Sequence, residues 1–154
     1  MKSKTFLNNV LIFIGLFCLA IINTHLFSIL ANYLGIELEI RSKFGFSEIE
    51  MLFAAIIVAP LLETLFCQYL LYKLLTKVFN LKSAVVCILI MSLFFSLLHW
   101  YNWLYVVATL FGGIILNSFY IIMRNRIGGI YSFLLTILFH ALYNSCVEIV
   151  NYFT

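Results

Sequence analysis

Four polar side chains of this 154-residue chain stand inside stretches that are otherwise apolar: Glu63, His99, His140 and Asn144. Glu63 lies in the run Ala59-Pro60-Leu61-Leu62-Glu63-Thr64-Leu65-Phe66-Cys67-Gln68, with no other acidic residue between Glu50 and Glu148. A carboxylate at membrane depth costs roughly 2.5–3.5 kcal/mol on insertion scales, so it needs partners or a task. The third apolar block ends Phe95-Ser96-Leu97-Leu98-His99, and the last contains His140-Ala141-Leu142-Tyr143-Asn144. Residues four apart share one helix face, which pairs Phe95 with His99 and His140 with Asn144. A lone intramembrane His or Asn commonly makes an interhelical hydrogen bond of only about 0.6 kcal/mol, the reading given to Asn23 and His25. A base-capable carboxylate, two imidazoles and an amide on separate helices are instead a set suited to hydrolysis.

The elements that carry these groups follow from composition. Hydrophobic residues make up 65% of the chain and charged residues 10%, against about 45–50% and about 25% in soluble domains. Mean hydropathy is +1.13. Five apolar blocks, about 6–34, 51–75, 83–100, 103–123 and 129–150, are each near the roughly 20 residues that cross a bilayer as a helix. The expected fold is an all-α polytopic membrane bundle of about five transmembrane helices. It forms a single domain over 1–154, with a first span and outer loop (1–46) ahead of a four-helix core (47–154). The first apolar run is longer than the about 7–15 residues of a signal h-region, which makes it an uncleaved span. The net charge of +3 comes from cations scattered between apolar blocks. That pattern excludes a nucleic-acid surface and leaves the lipid bilayer as the expected environment. Cys18, Cys67, Cys87 and Cys146 sit in apolar runs and are read as small hydrophobes, not disulfide partners.

The connections hold the turn and charge signals. Residues 35–47 carry Glu37, Glu39, Arg41, Lys43 and Gly45, then Ser47 with Glu50 three positions on, the spacing of a capping box. Trp100-Tyr101-Asn102-Trp103 and Arg124-Asn125-Arg126-Ile127-Gly128-Gly129 read as tight turns. Lys2, Lys4, Lys73, Lys77, Lys82, Arg124 and Arg126 fall on one side of the membrane, Arg41 and Lys43 on the other. This bias predicts a multi-pass protein of the cell membrane with a cytoplasmic N-terminus and an outer C-terminus. Gly112-Gly113 in the fourth block predicts a close helix approach.

Three motifs in order, Glu63-Thr64-x-x-x-Gln68, Phe95-x-x-x-His99 and His140-x-x-x-Asn144, resemble those of the CPBP (Abi) family of intramembrane proteases. That family includes the type II CAAX prenyl endopeptidases and bacteriocin-processing proteins, and its motifs read Glu-Glu-x-x-x-Arg, Phe-x-x-x-His and His-x-x-x-Asn/Asp. The resemblance covers about 60–145. Thr64 and Gln68 depart from it: both members of an i,i+4 charged pair are replaced by neutral hydrogen-bonding groups, so neither charge is stranded. Glu63 is left as the single acid of the site.

The resemblance implies a glutamate-type endopeptidase without a covalent intermediate. Glu63 is expected as general base on water, His99 as its positioning group, and His140 with Asn144 as donors to the oxyanion. Thr64, Gln68 and Phe95 are expected in support. No cofactor is expected. The family's older metalloprotease interpretation would have Glu63, His99 and His140 hold zinc, but no His-Glu-x-x-His helix occurs and Asn is a poor zinc ligand. The expected partner is a small peptide or membrane-associated protein substrate, in bacteriocin or pheromone maturation or self-immunity. The alternative is an inactive relative acting as an immunity factor or regulatory scaffold. A solute pathway is weaker, since one acid and two His do not form a continuous relay. Counted at about 1.5 Å per residue, Glu63 and His140 fall near the bilayer middle but His99 near a block's end. Helix tilt or a water-filled cavity is expected to bring them level.

Overall fold

A computed structural model describes residues 2–38 and 47–153. The outer-loop residues Arg41 and Lys43, which enter the charge bias, lie outside the described residues, as do Glu39 and Gly45. Within them the regular structure is helical throughout: α1 (Lys2–Leu34), α2 (Glu48–Val78), α3 (Ala84–Leu97), α4 (Trp103–Ile127) and α5 (Gly129–Phe153). Helices α1, α2, α4 and α5 are long and apolar enough to cross a membrane. Their outward faces carry Leu, Ile and Phe, as at Phe6, Ile29, Phe66 and Leu134, so the bundle is that of a multi-pass membrane protein.

The helix ends follow local chemistry. Ser47 Oγ accepts the Glu50 N–H at 3.4 Å while the Ser47 N–H donates to Glu50 Oε2 at 2.8 Å, which forms the expected capping box. Asn102 caps α4 by accepting the Tyr105 N–H at 2.8 Å, and its Nδ2 donates to the Glu37 carbonyl at 3.1 Å. That second bond fastens the chain after α1 to the start of α4. Gly128, at φ +87°, ends α4 in a conformation that L side chains rarely adopt and lets α5 begin at the next residue.

Helix α3 departs from expectation. It has 14 residues, about 21 Å at 1.5 Å per residue, against about 30 Å of hydrocarbon. Its C-terminal end lies beside α2, since His99 just beyond it stands 3.8 Å from Glu63.

Helix α4 lies at the centre and packs against α1, α3 and α5. On the α1 side, Phe13 meets Phe119 and Phe139 edge-on at centroid distances of 5.5 and 5.2 Å, and Asn23 Nδ2 donates to the Ala108 carbonyl at 3.1 Å. Asn23 is thus the plain interhelical tie expected of it. The glycine pair serves two neighbours. A Cβ on Gly112 would sit 3.7 Å from Asn23 Nδ2 of α1, whereas one on Gly113 would lie 3.3 Å from Ser92 Cα and 3.2 Å from the Phe95 ring of α3. Beside it, Asn117 Nδ2 donates to Ser92 Oγ at 3.0 Å, both side chains fully buried.

This close approach generates a prediction. Gly113→Val should force α3 from α4 and cost about 1–3 kcal/mol of stability, seen as a lower melting temperature in detergent. Gly112→Ala should melt close to wild type, since its nearest contact is an ordinary one. Equal melting of Gly113→Val and wild type would contradict the tight α3–α4 contact.

Candidate active site

Glu63 sits where α2 changes winding. The segment Ala59–Glu63 is α-helical, and the wider π turns Ala54–Val58 and Thr64–Leu70 flank it. A third π stretch, Leu74–Val78, ends the helix. Pro60, the only proline of the chain, explains the first departure: it has no N–H to donate, and its ring crowds the preceding turn.

His99 is held by its own helix end. Beyond α3 the backbone tightens, with the Leu98 N–H on Phe95 O at 3.2 Å and the His99 N–H on Ser96 O at 3.0 Å. The His99 Nδ1 lies 2.8 Å from the same Phe95 carbonyl. A carbonyl can only accept, so Nδ1 carries the proton and a neutral His99 presents a bare lone pair at Nε2. His140 enters from α5 and is 5% exposed. The Phe95 ring stands against both imidazoles, with centroids 4.6 Å from His99 and 6.0 Å from His140. Tyr105 closes the far side of His99 at 5.8 Å.

Three helices converge on one carboxylate. Glu63 Oε1 is 3.8 Å from His99 Nε2, and Glu63 Oε2 is 3.7 Å from His140 Nε2. Each oxygen faces a different imidazole. Both separations exceed direct hydrogen-bond length, at which N–H···O pairs stand about 2.7–3.2 Å apart, and both suit a small polar group shared between the partners.

The expected set is thus brought together in part. Glu63, Phe95, His99 and His140 meet. Asn144 shares the α5 face with His140, but its Nδ2 donates at 2.7 Å to the Ala55 carbonyl in the first π turn of α2. Thr64 and Gln68 are fully buried on α2, yet Thr64 Oγ1 and both polar atoms of Gln68 make no hydrogen bond among the described residues. The neutral pair that their spacing implied is not formed. Two contributors escaped the sequence reading: Tyr105 beside His99, and the Ala55 carbonyl as acceptor for Asn144. Pro60, three residues before Glu63, was a partial signal for the second: its missing N–H leaves the Ile56 carbonyl unmet in α winding, and the π winding of Ala54–Val58 moves the gap to Ala55.

A comparison with protein families matches residues 45–146 to the family described as type II CAAX prenyl endopeptidase, Rce1-like. This is well over half of the chain. The chain belongs to that family. The matched stretch begins just before α2, runs into α5 and contains Glu63, His99, His140 and Asn144, while α1 lies outside it. Membership carries a CAAX-type intramembrane protease fold, and the resemblance read from the three motifs is borne out. No curated protein and no solved structure matches the chain.

The orphaned groups of Thr64 and Gln68 generate the second prediction. A buried polar group without a partner costs about 1–3 kcal/mol, so Thr64→Val and Gln68→Met should melt at the wild-type temperature or above it. A clear drop in melting temperature for either would mean that these groups hold a bound partner.

Proposed function

We propose that the protein is an intramembrane endopeptidase that uses Glu63 to activate water against a peptide bond of a small peptide or membrane-associated substrate. The observation that carries this reading is the carboxylate with each oxygen within 4 Å of a separate imidazole, 3.8 Å on His99 and 3.7 Å on His140. With its proton on Nδ1, His99 offers Nε2 as an acceptor, and the adjacent Glu63 oxygen is also an acceptor. A water molecule can donate one hydrogen to each, about 2.8 Å from both atoms. That double acceptance orients the water oxygen and its lone pairs towards an incoming carbonyl carbon. As the C–O bond forms, Glu63 takes the proton. His140, with its proton on Nε2, donates to the carbonyl oxygen as negative charge develops there. Glu63 then returns the proton to the departing amine as the C–N bond breaks.

The zinc alternative would call on Glu63, His99 and His140 with bonds of about 2.0–2.2 Å. Among the described residues no group of three or more His, Cys, Asp or Glu is set to hold a metal ion. The proposed steps call on Glu63, His99 and His140 to activate water and require no metal.

The substrate is assigned to bacteriocin or peptide-pheromone maturation or to self-immunity, in the cell membrane with the N-terminus cytoplasmic. The basic end of the bundle supports this orientation, since Arg126 Nη1 of α4 meets Asn9 Oδ1 of α1 there at 3.1 Å. A second reading, an inactive relative serving as immunity factor or scaffold, is favoured by one observation: Thr64 and Gln68 stand where the family has Glu and Arg and form no pair.

Purified protein in lipid nanodiscs, incubated with synthetic peptide libraries with and without a prenylated C-terminal cysteine, separates the two readings. Cleavage followed by mass spectrometry should fall about 10²–10⁴-fold in Glu63→Gln and His140→Ala, with protein levels unchanged, and should withstand chelators. Cleavage that survives Glu63→Gln overturns the assignment. Peptide retention without cleavage by the wild type supports the scaffold.

A further inference from the structure

The first π turn of α2 leaves one backbone carbonyl without a donor in its own helix. In an α-helix the Ala55 carbonyl would accept from the Ala59 N–H, but that N–H donates to Ala54 O, one residue further back. In the π register the donor would be residue 60, and Pro60 has no N–H. The α-register donor is thus engaged elsewhere and the π-register donor does not exist, so Ala55 is left unmet by its own helix. In a bilayer such a carbonyl cannot turn to water without cost. The Asn144 amide meets it at 2.7 Å from across the helix interface.

We infer that Asn144 is a positioning residue whose amide supplies the hydrogen bond that Pro60 cannot, holding the Glu63 segment of α2 against the His140 segment of α5. The bond sits one helical turn from His140 on α5 and eight residues from Glu63 on α2. It is the direct α2–α5 hydrogen bond nearest to the site among those described. Sliding or rotation of α2 against α5 would alter the 3.7 Å Glu63–His140 separation, and this bond resists it. The inference rests on the reading of Glu63 and His140 as acting together, and it gives Asn144 a task other than the donation to the oxyanion that the family resemblance implies.

The two tasks differ in their dependence on Pro60. With Ala at position 60, Ala55 gains the backbone donor that the π register lacks, the N–H of residue 60. The bond from Asn144 then becomes redundant for positioning, whereas a donor to the oxyanion would stay essential. The experiment is a cycle in nanodiscs of wild type, Asn144→Leu (similar size, no donor), Pro60→Ala and the double variant. It has two readouts: cleavage of the peptide libraries, and amide hydrogen exchange of residues 54–66.

Asn144→Leu should lower kcat about ten- to hundredfold with little change in KM and quicken exchange in 54–66 about tenfold. Pro60→Ala should resemble wild type, and the double variant should recover both quantities to within a few-fold of Pro60→Ala. Loss of cleavage in Asn144→Leu without faster exchange, unrelieved in the double variant, overturns the positioning role and returns Asn144 to direct contact with substrate. Faster exchange relieved by Pro60→Ala, in a protein that cleaves nothing, upholds the tie while refuting the peptidase reading. Unchanged exchange in Asn144→Leu refutes the tie whatever the activity.

Discussion

The bundle is arranged around a carboxylate in a medium that cannot solvate it. Glu63 has no acidic or basic neighbour on its own helix within reach, so its partners must come from elsewhere. They arrive as imidazoles on α3 and α5, one for each oxygen. This requirement explains the short third helix. With 14 residues, α3 ends where His99 comes within 3.8 Å of Glu63. It also explains Phe95, whose ring lies against both imidazoles and whose carbonyl selects the His99 tautomer. One residue thus sets the orientation of one imidazole and the packing of the other.

A second constraint comes from the backbone. Lipid offers no hydrogen bonds, so each carbonyl freed from a helix must be met by another protein group. Most hydroxyls of the bundle answer to their own helix, as Ser92 does on Ile88 O, Thr136 on Ser132 O and Ser145 on Ala141 O, each at 2.7 Å. Pro60 creates the exception at Ala55, and Asn144 answers it from α5. Helix α2 is therefore bent towards wider winding beside Glu63 and secured by a partner helix at the same place. Thr64 and Gln68 follow neither rule, being buried without hydrogen bonds among the described residues.

Much of the site was legible because membrane sequences have little polar material to confuse. In a chain with 10% charged residues, Glu63, His99 and His140 stand out by type, and their order along three apolar blocks carries the family. The capping box at Ser47 and the close approach at the glycine pair were legible for the same local reasons. The end of α3 was not. Its apolar run continues past Leu97, and hydropathy does not register where the backbone tightens under its own hydrogen bonds. The failure of Thr64 and Gln68 to pair was equally hidden, since four-residue spacing places two groups on one face without setting the rotamers that would join them.

By itself the sequence determined the membrane class, the helical blocks, the three motifs and the isolation of one acid among apolar residues. All of these depend on residue type and short-range spacing. Only the tertiary structure decided the distances from Glu63 to each imidazole and the partner taken by Asn144. Those depend on how helices far apart in the sequence lie against one another. The bond from Asn144 to Ala55 spans 89 positions, and no local pattern encodes it. It arises because a proline on one helix left a carbonyl unmet, and the fold brought an amide on another helix to the same depth.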